Sequence, residues 1–361
     1  MSIEREPARR PGADRGVFVI AEAGSNWRMG TAKRDRAMAR ALIDVAVEAE
    51  ADAVKFQTYR AETLYAPGAG RSDYLAKTGT TEDIGDVLGD LAMPYEMIGE
   101  LAGYCAESGI SFMSTPFSPA DFAAVDPFVE VHKIASYEIS HLRLIELAAR
   151  SGKPVVISTG GADEGDIAWA VDTFSANGGK ELTLLQCTAK YPAPIETLNL
   201  RSLIWLAERF SVPVGLSDHS RDPILGPTLA VGLGASVIEK HYTLDNRLPG
   251  PDHSFAILPG ELAAMVRAIR DAEVALGQVG KVVQAEEEEL RAFAQRGIQA
   301  LRDVSLGEEL REDVNIAILR AGNQRKGVHP RYLGEIEGAR ATRAIPAGDG
   351  ILAEDWERAA R

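Results

Sequence analysis

The chain has 361 residues, 25% of them charged and 45% in the hydrophobic set. That balance is close to the globular average, so disordered and fibrous classes are excluded, and the length suits two domains or one large domain with an appendage. Acidic residues outnumber basic ones by 53 to 39, a net of −14, which argues against nucleic acid or an anionic membrane as the main partner and leaves room for a local basic pocket. Two cysteines, Cys105 and Cys187, cannot form a disulfide scaffold and fit a reducing, cytoplasmic location. No apolar run reaches the roughly 18 residues that a membrane span needs. The opening MSIEREPARRPGADRG has no apolar stretch of the signal-peptide kind, and residues 1–15 read as a flexible tail.

From there, short β-rich runs alternate with helical patterns. The runs are Val17–Glu22, Asp52–Gln57, Ile110–Thr115, Glu130–Ser136, Pro154–Thr159, Glu181–Cys187, Val212–Ser217 and Ser236–Lys240. Segments with helical apolar spacing lie between them, among them Ala37–Glu50, Leu142–Arg150, Leu198–Phe210 and Gly260–Leu276. Pro94 suits a first helical turn, and Gly109 and Gly152 suit helix ends. Apolar runs without alternation imply strands buried on both faces, hence a parallel sheet with helical crossovers. Eight such units predict an α/β fold of the (β/α)8 TIM-barrel type over 16–280. A doubly wound open sheet is the alternative. It needs a Gly-rich phosphate turn after the first strand, and AEAGSNWRMG matches that poorly.

The pattern changes near Val282. Residues 281–292 read as a linker whose run Glu286–Glu289 suits a solvated face. Residues 293–361 read as a small domain of short strands and Gly-rich turns. Within it RDVSLGE and TRAIPAGD resemble each other.

In such a barrel the carboxyl ends of the strands face the active-site mouth. Reading those ends yields Glu22, Lys55, Thr115, Lys133 with Ser136 and Glu138, Thr159, Thr188 with Tyr191, Ser217 with Asp218 and His219, and Lys240 with His241. Polar groups at nearly every strand end favour catalysis over a structural role. Lys55 and Lys133, beside Thr115, Ser136 and Ser217, form a candidate site for a phosphate or carboxylate, the lysines supplying charge and the hydroxyls directed donors. A single such lysine is equally well read as salt-bridged. His219 and His241 follow neighbouring strands, with Asp218 and Glu239 nearby, and could hold a divalent metal with open positions, or serve as ordinary satisfied polar groups. Cys187 lies in an apolar run with no histidine nearby in sequence and reads as buried packing. The stretch LPGPDH is a rigid loop presenting Asp252 over the mouth, or simply a turn.

The motifs IAEAGSN, DAVKFQT, FMSTPF, HKIASYEI, GKPVVISTG, LLQCTAKYPAP, VGLSDHS and IEKHYTLD with PGPDH, in that order, resemble the sialic acid synthase family, the phosphoenolpyruvate-condensing nonulosonate synthases. The tail resembles the antifreeze-like (SAF, β-clip) domain that follows the barrel in that family. The resemblance implies a domain-swapped homodimer and condensation of phosphoenolpyruvate with an open-chain N-acyl hexosamine, N-acetylmannosamine or a related amino sugar. The product is a 2-keto-3-deoxy nine-carbon sugar acid plus phosphate. Lys55, Thr115, Lys133, Ser136 and Ser217 match phosphoenolpyruvate-binding positions. His219 and His241 match ligands of a divalent metal, Mn2+ foremost, with Mg2+ or Co2+ as other ions. Glu22, Glu138, Tyr191 and Asp252 match groups that hold the sugar or move protons, so Glu22, Glu138, Lys55 and Lys133 are the implied catalytic set. Arg320 matches an arginine that reaches the partner subunit's site to meet the sugar's N-acyl group.

Three positions depart from the family pattern. Ala189 stands where asparagine is common, Trp27 where histidine is common, and Ala321 interrupts Arg-Pro-Gly. The first two are expected beside the mouth, which bears on the choice of sugar. The alternatives are a related synthase of the spore-coat, pseudaminic or legionaminic type, an enzyme for a phosphorylated pentose, and an inactive scaffold homologue. The pentose enzyme would want a further basic cluster at the mouth, and none is evident.

Overall fold

Eight strands form one parallel sheet in the order β3-β2-β1-β8-β7-β6-β5-β4, in a computed structural model that describes residues 9–12, 16–70 and 83–358. The strands are β1 (Phe18–Gly24), β2 (Ala53–Thr58), β3 (Ser111–Pro116), β4 (His132–Ile134), β5 (Val155–Ser158), β6 (Leu182–Cys187), β7 (Val214–Asp218) and β8 (Val237–His241). β3 and β4, the two ends of that order, come against one another and close a TIM barrel. Each expected run overlaps one strand, and five of the strands end one or two residues later than expected. The fourth is the exception in length: Ser136 already begins a 3-10 turn, Ser136–Ser140, so the expected Glu130–Ser136 shrinks to three residues.

The crossovers are helical: α1 (Ala32–Glu48), α2 (Tyr95–Ser108), α3 (Pro119–Val125), α4 (Leu142–Arg150), α5 (Glu164–Ala176), α6 (Ser202–Phe210), α7 (Leu225–Gly232) and α8 (Pro259–Leu276). Their ends follow local chemistry. Asp163 and Asp166 form a capping box at the start of α5, each satisfying an amide that the helix leaves free. Gly109 ends α2 at φ 77°, a left-handed cap that a Cβ would disfavour. Pro94 stands one residue before α2, as its N-cap.

Two apolar layers result. Alternate strand residues such as Val19, Ala21, Val54 and Ile238 pack outward against the helices. Phe18, Ile20, Ala53, Met113, Val131, Val156, Leu185 and Val237 point inward and fill the lower half of the lumen, as a barrel interior is normally filled. At that lower end Arg9 pairs with Glu273 at 3.0 Å, and Gly12 lies so close to Pro213 that a Cβ would meet its ring at 2.9 Å. These residues of the expected tail are therefore tied to the barrel.

The chain divides into two compact units between Gly277 and Gln278. The stretch read as a linker carries a 3-10 turn, Ala285–Glu287, and a short exposed helix α9, Glu288–Ala294. The second unit pairs β9 (Arg296–Ala300) with β10 (Ile316–Arg320), and β11 (Arg340–Ala341) with β12 (Trp356–Glu357), both antiparallel. The two similar phrases meet. Val304 and Ile345 exchange both backbone hydrogen bonds, at 2.8 and 2.9 Å. The glycines three residues beyond each, Gly307 and Gly348, both take positive φ, 78° and 83°.

Candidate active site

Side chains two apart on a strand share a face, so the inward parity that packs the lower lumen also selects what lines its upper half. On β8 that parity runs Val237, Glu239, His241. On the other strands it runs from Ile20 to Glu22, from Ala53 to Lys55 and Gln57, from Met113 to Thr115, from Val131 to Lys133, and from Val156 to Ser158. All of the charged groups in this set are buried.

They neutralise one another. Lys55 Nζ lies 2.6 Å from Glu22 Oε2 and 3.6 Å from Glu239 Oε2, and it donates to Thr115 Oγ1 at 3.0 Å. Lys133 Nζ lies 3.8 Å from Glu239 Oε1 and donates to Ser158 Oγ at 2.7 Å. Ser217 donates to Glu239 Oε1 at 2.8 Å, and Gln57 Nε2 donates to Glu22 Oε1 at 2.9 Å. Burial pushes the Glu22 carboxyl up to about 7, with Lys55 opposing and Glu239 adding to the rise. Burial would lift Glu239 as well, but Lys133, Lys55 and the Ser217 hydroxyl outweigh it and hold that carboxyl at about 2. Burial would lower Lys55, yet Glu22 and Glu239 raise it above the ordinary lysine value. For Lys133 burial wins over Glu239, and its ammonium is easier to deprotonate than usual.

Above this charged layer stand the two histidines, with ring centroids 5.5 Å apart. His219 Nδ1 lies 2.9 Å from the Thr188 carbonyl. A carbonyl only accepts, so Nδ1 carries the hydrogen and Nε2 keeps a free lone pair. His241 Nδ1 is buried without a hydrogen-bond partner, 3.8 Å from Asp252 Oδ2. Burial holds His219 down at about 4 and His241 well below its usual value, so both are neutral. Two neutral imidazoles, one with its tautomer fixed by a backbone carbonyl, fit a divalent ion that takes its other ligands from water or substrate. Among the described residues no group of three or more His, Cys, Asp or Glu is placed to hold a metal ion, so the two imidazoles stand as a pair.

The remaining sequence candidates spread around this core. The Tyr191 ring lies over His219, with centroids 4.1 Å apart. Asp252 is lifted by burial to about 6, against hydrogen bonds from Ser25. Glu138 is lifted by burial to about 7, and its Oε2 has no hydrogen-bond partner. Ser136 Oγ accepts the Gly160 amide at 3.0 Å, beside Cys187 and Ala189, both of which a Cβ on Gly160 would strike. Arg320 ends β10 in the second unit, exposed and opposite Arg296. Three expectations change. Trp27 is 2% exposed and packs in the layer between strands and helices, so it does not line the mouth. Lys240 has outward parity and pairs with Asp218 at 2.6 Å. Cys187 is buried as expected, but folding brings its sulfur within 3.8 Å of His219 Nδ1.

The model of the NeuB family matches residues 42–281, and that of the SAF domain matches residues 295–357. The chain belongs to the NeuB family. Over 95% of its length it is 42% identical to the spore coat polysaccharide biosynthesis protein SpsE of Bacillus subtilis, covering 94% of that protein. It is 36% identical to the N,N'-diacetyllegionaminic acid synthase of Legionella pneumophila, over 96% of this chain and 95% of that one. The crystal structure of an N-acetylneuraminic acid synthetase from Leptospira borgpetersenii, in complex with citrate, superposes with a TM-score of 0.67. It shares 33% identity over 76% of this chain and 90% of that one. Two of these three relatives are thus named as synthases of nonulosonic acids, and this member of the NeuB family carries a barrel and a SAF domain in one chain.

This NeuB barrel also holds polar groups that a reading of strand ends passes over, chiefly Ser158 and Gln57, and it sets Glu239, expected near the two histidines, between the two lysines. Parity places all three, and closure of the sheet is what reveals it: Glu239, Ser158 and Gln57 each lie an even number of residues from an inward apolar neighbour, Val237, Val156 and Ala53 respectively.

Proposed function

We propose that the chain condenses phosphoenolpyruvate with the open-chain aldehyde of an N-acyl amino sugar, releasing phosphate and a nine-carbon 2-keto-3-deoxy sugar acid. The observation that carries this reading is the buried pair Lys55 and Lys133, gathered about Glu239 directly beneath two neutral imidazoles. Two ammonium groups with Thr115, Ser136, Ser158 and Ser217 suit a small ligand bearing both phosphate and carboxylate, since bonds to charged groups are the strong ones.

Held by His219 and His241, a divalent ion such as Mn2+ would supply Lewis acidity toward the aldehyde oxygen. The chain's own residues account for the rest. Lys55 and Lys133 fix the anion so that its C3 faces the aldehyde carbon. C3 bonds to that carbon, and the aldehyde oxygen takes up a proton. Glu22 and Glu138, both near 7, are partly protonated at neutral pH and suited to give that proton. Water adds at C2 and loses a proton to the ionised carboxylate. The tetrahedral centre then expels phosphate by C2–O cleavage, leaving the ketone. Tyr191 and Asp252, against the two histidines, hold the sugar.

The working unit in this proposal is a domain-swapped homodimer in which Arg320 contributes to the partner's site. The location is the cytoplasm, where the unpaired thiols Cys105 and Cys187 stay reduced. The test is phosphate release from phosphoenolpyruvate and Mn2+ with a panel of N-acyl hexosamines, including 2,4-diacylated ones. Release that depends on one such sugar supports the proposal and names the acceptor. No release with any of them overturns it.

A further inference from the structure

Asp218 and Lys240 are opposite one another in the β7–β8 register, and each immediately precedes one of the two histidines. Their side chains are 0% and 1% exposed and meet at 2.6 Å. Both have the outward parity, so neither touches the lumen where substrate would lie. Three further bonds surround His219. Asp218 Oδ1 accepts the Ser220 amide at 2.8 Å, closing a turn across His219. Lys240 Nζ donates to the Ser220 carbonyl at 2.7 Å, and Ser220 Oγ donates to Asp218 Oδ2 at 3.2 Å. Gly226, at the start of α7, leaves room for the carboxylate, which a Cβ there would meet at 2.9 Å.

One ammonium on β8 therefore grips the residues on both sides of His219, from the position next to His241. A buried ion pair is a weak device for stability, because desolvation offsets most of its attraction and an apolar pair of equal volume does as well. It is a strong device for fixing geometry when its hydrogen bonds are fully used, as they are here.

We infer that Asp218, Lys240 and Ser220 form a positioning clamp that sets the spacing of His219 and His241 for a divalent ion. The inference rests on the metal reading of those histidines. Their own second bonds do not supply the spacing: His219 Nδ1 meets the Thr188 carbonyl at 2.9 Å and the Cys187 sulfur at 3.8 Å, and His241 Nδ1 has no hydrogen-bond partner. The rigidity has to come from the backbone that carries them.

The test uses the full-length protein, stripped of metal, and measures Mn2+ binding directly by electron paramagnetic resonance together with thermal unfolding of the metal-free form. The double variant Asp218→Asn/Lys240→Met keeps the volume and the acceptor for the Ser220 amide while removing both charges. Outer-shell groups typically account for 10–100-fold in metal affinity. The clamp predicts a dissociation constant raised at least about tenfold in a variant whose metal-free melting is close to that of the parent. Equal Mn2+ affinity in the folded double variant overturns the clamp. Should that variant fail to fold, Asp218→Asn alone decides in the same way, since its amide oxygen keeps the acceptor for the Ser220 amide while its NH2 takes the place of the oxygen that Lys240 grips. Parent protein that binds no Mn2+, or binds it as tightly after His219→Ala, overturns the metal reading itself and the clamp with it.

Discussion

Ser217 on β7 donates its hydroxyl hydrogen to Glu239 on β8, its direct partner in the sheet register, at 2.8 Å. That bond and the two lysines keep Glu239 ionised in a fully buried place. In turn Glu239 is the foremost influence holding Lys133 charged against burial. Glu239→Gln should let Lys133 lose its proton more readily. We expect the KM for phosphoenolpyruvate to rise at least about tenfold, in line with 1.5–3 kcal/mol for a bond to a charged group. The rise should be larger at pH 9 than at pH 6, because the neutral amine is favoured as pH increases. Steady-state KM across that range checks this, and a KM equal to the parent's at every pH would sink it.

Glu138 gives a stability effect of definite sign. Burial lifts its carboxyl from 4.5 to about 7, so between those values the folded chain holds a proton that the unfolded chain has released. Stability falls as pH rises through that window, is untouched below it, and is reduced by about 3 kcal/mol above it. Glu138→Gln removes the ionisable group. Its melting temperature should exceed the parent's at pH 8 and match it at pH 4.5. If Glu138 is also the proton donor, kcat of the parent should decline above pH 7, and the variant should be slow without that decline. Equal melting at both pH values would show that the carboxyl is not buried as described.

The barrel was readable because each strand is a short apolar run bounded by turn residues, and the polar strand ends pointed to one mouth. Parity was not readable. On β8 both Val237 and Ile238 are fully buried, since a parallel strand is covered on its two faces. Nothing in the sequence then tells which of Glu239 and Lys240 enters the lumen. The answer came from closure of the sheet, which places Val237 inside and so sends Lys240 out to Asp218. Trp27 departs from its expected place for a related reason. A loop after a barrel strand usually lies at the mouth, but a large apolar ring is stabilised by burial and was drawn between sheet and helices. The Cys187–His219 approach spans residues distant in sequence on adjacent strands, which local reading does not see.

Ala189 lies beside Gly160, Ser136 and Cys187, in a corner already close-packed. Thr115, Ser136, Ser158 and Ser217 provide hydroxyl donors without it. Ala189→Asn should therefore leave the phosphoenolpyruvate KM near that of the parent. A large improvement in kcat/KM would instead mark an anion site weakened by loss of the amide.

Arg320 offers a test of the proposed dimer. Arg320→Ala and Lys55→Ala homodimers should each be nearly inactive. Mixed dimers, formed by unfolding and refolding the two together, should recover part of the parent rate, since one of the two sites then combines an intact barrel with an intact arginine. A verified mixed dimer that stays inactive would show that Arg320 serves its own barrel or none.

The filled lower lumen turns the barrel into a blind well. Phe18, Ile20, Met113 and their neighbours plug the floor. The lysines gather about Glu239, one inward step below His241. Under the proposed chemistry the well imposes a queue. The small anion has to arrive first, because a sugar seated at the histidines would stand in its way. For the same reason phosphate formed at the bottom is trapped until the long product vacates the neck. Turnover can then be limited by departures rather than by bond making, and inorganic phosphate should inhibit by occupying the bottom berth before a new round begins.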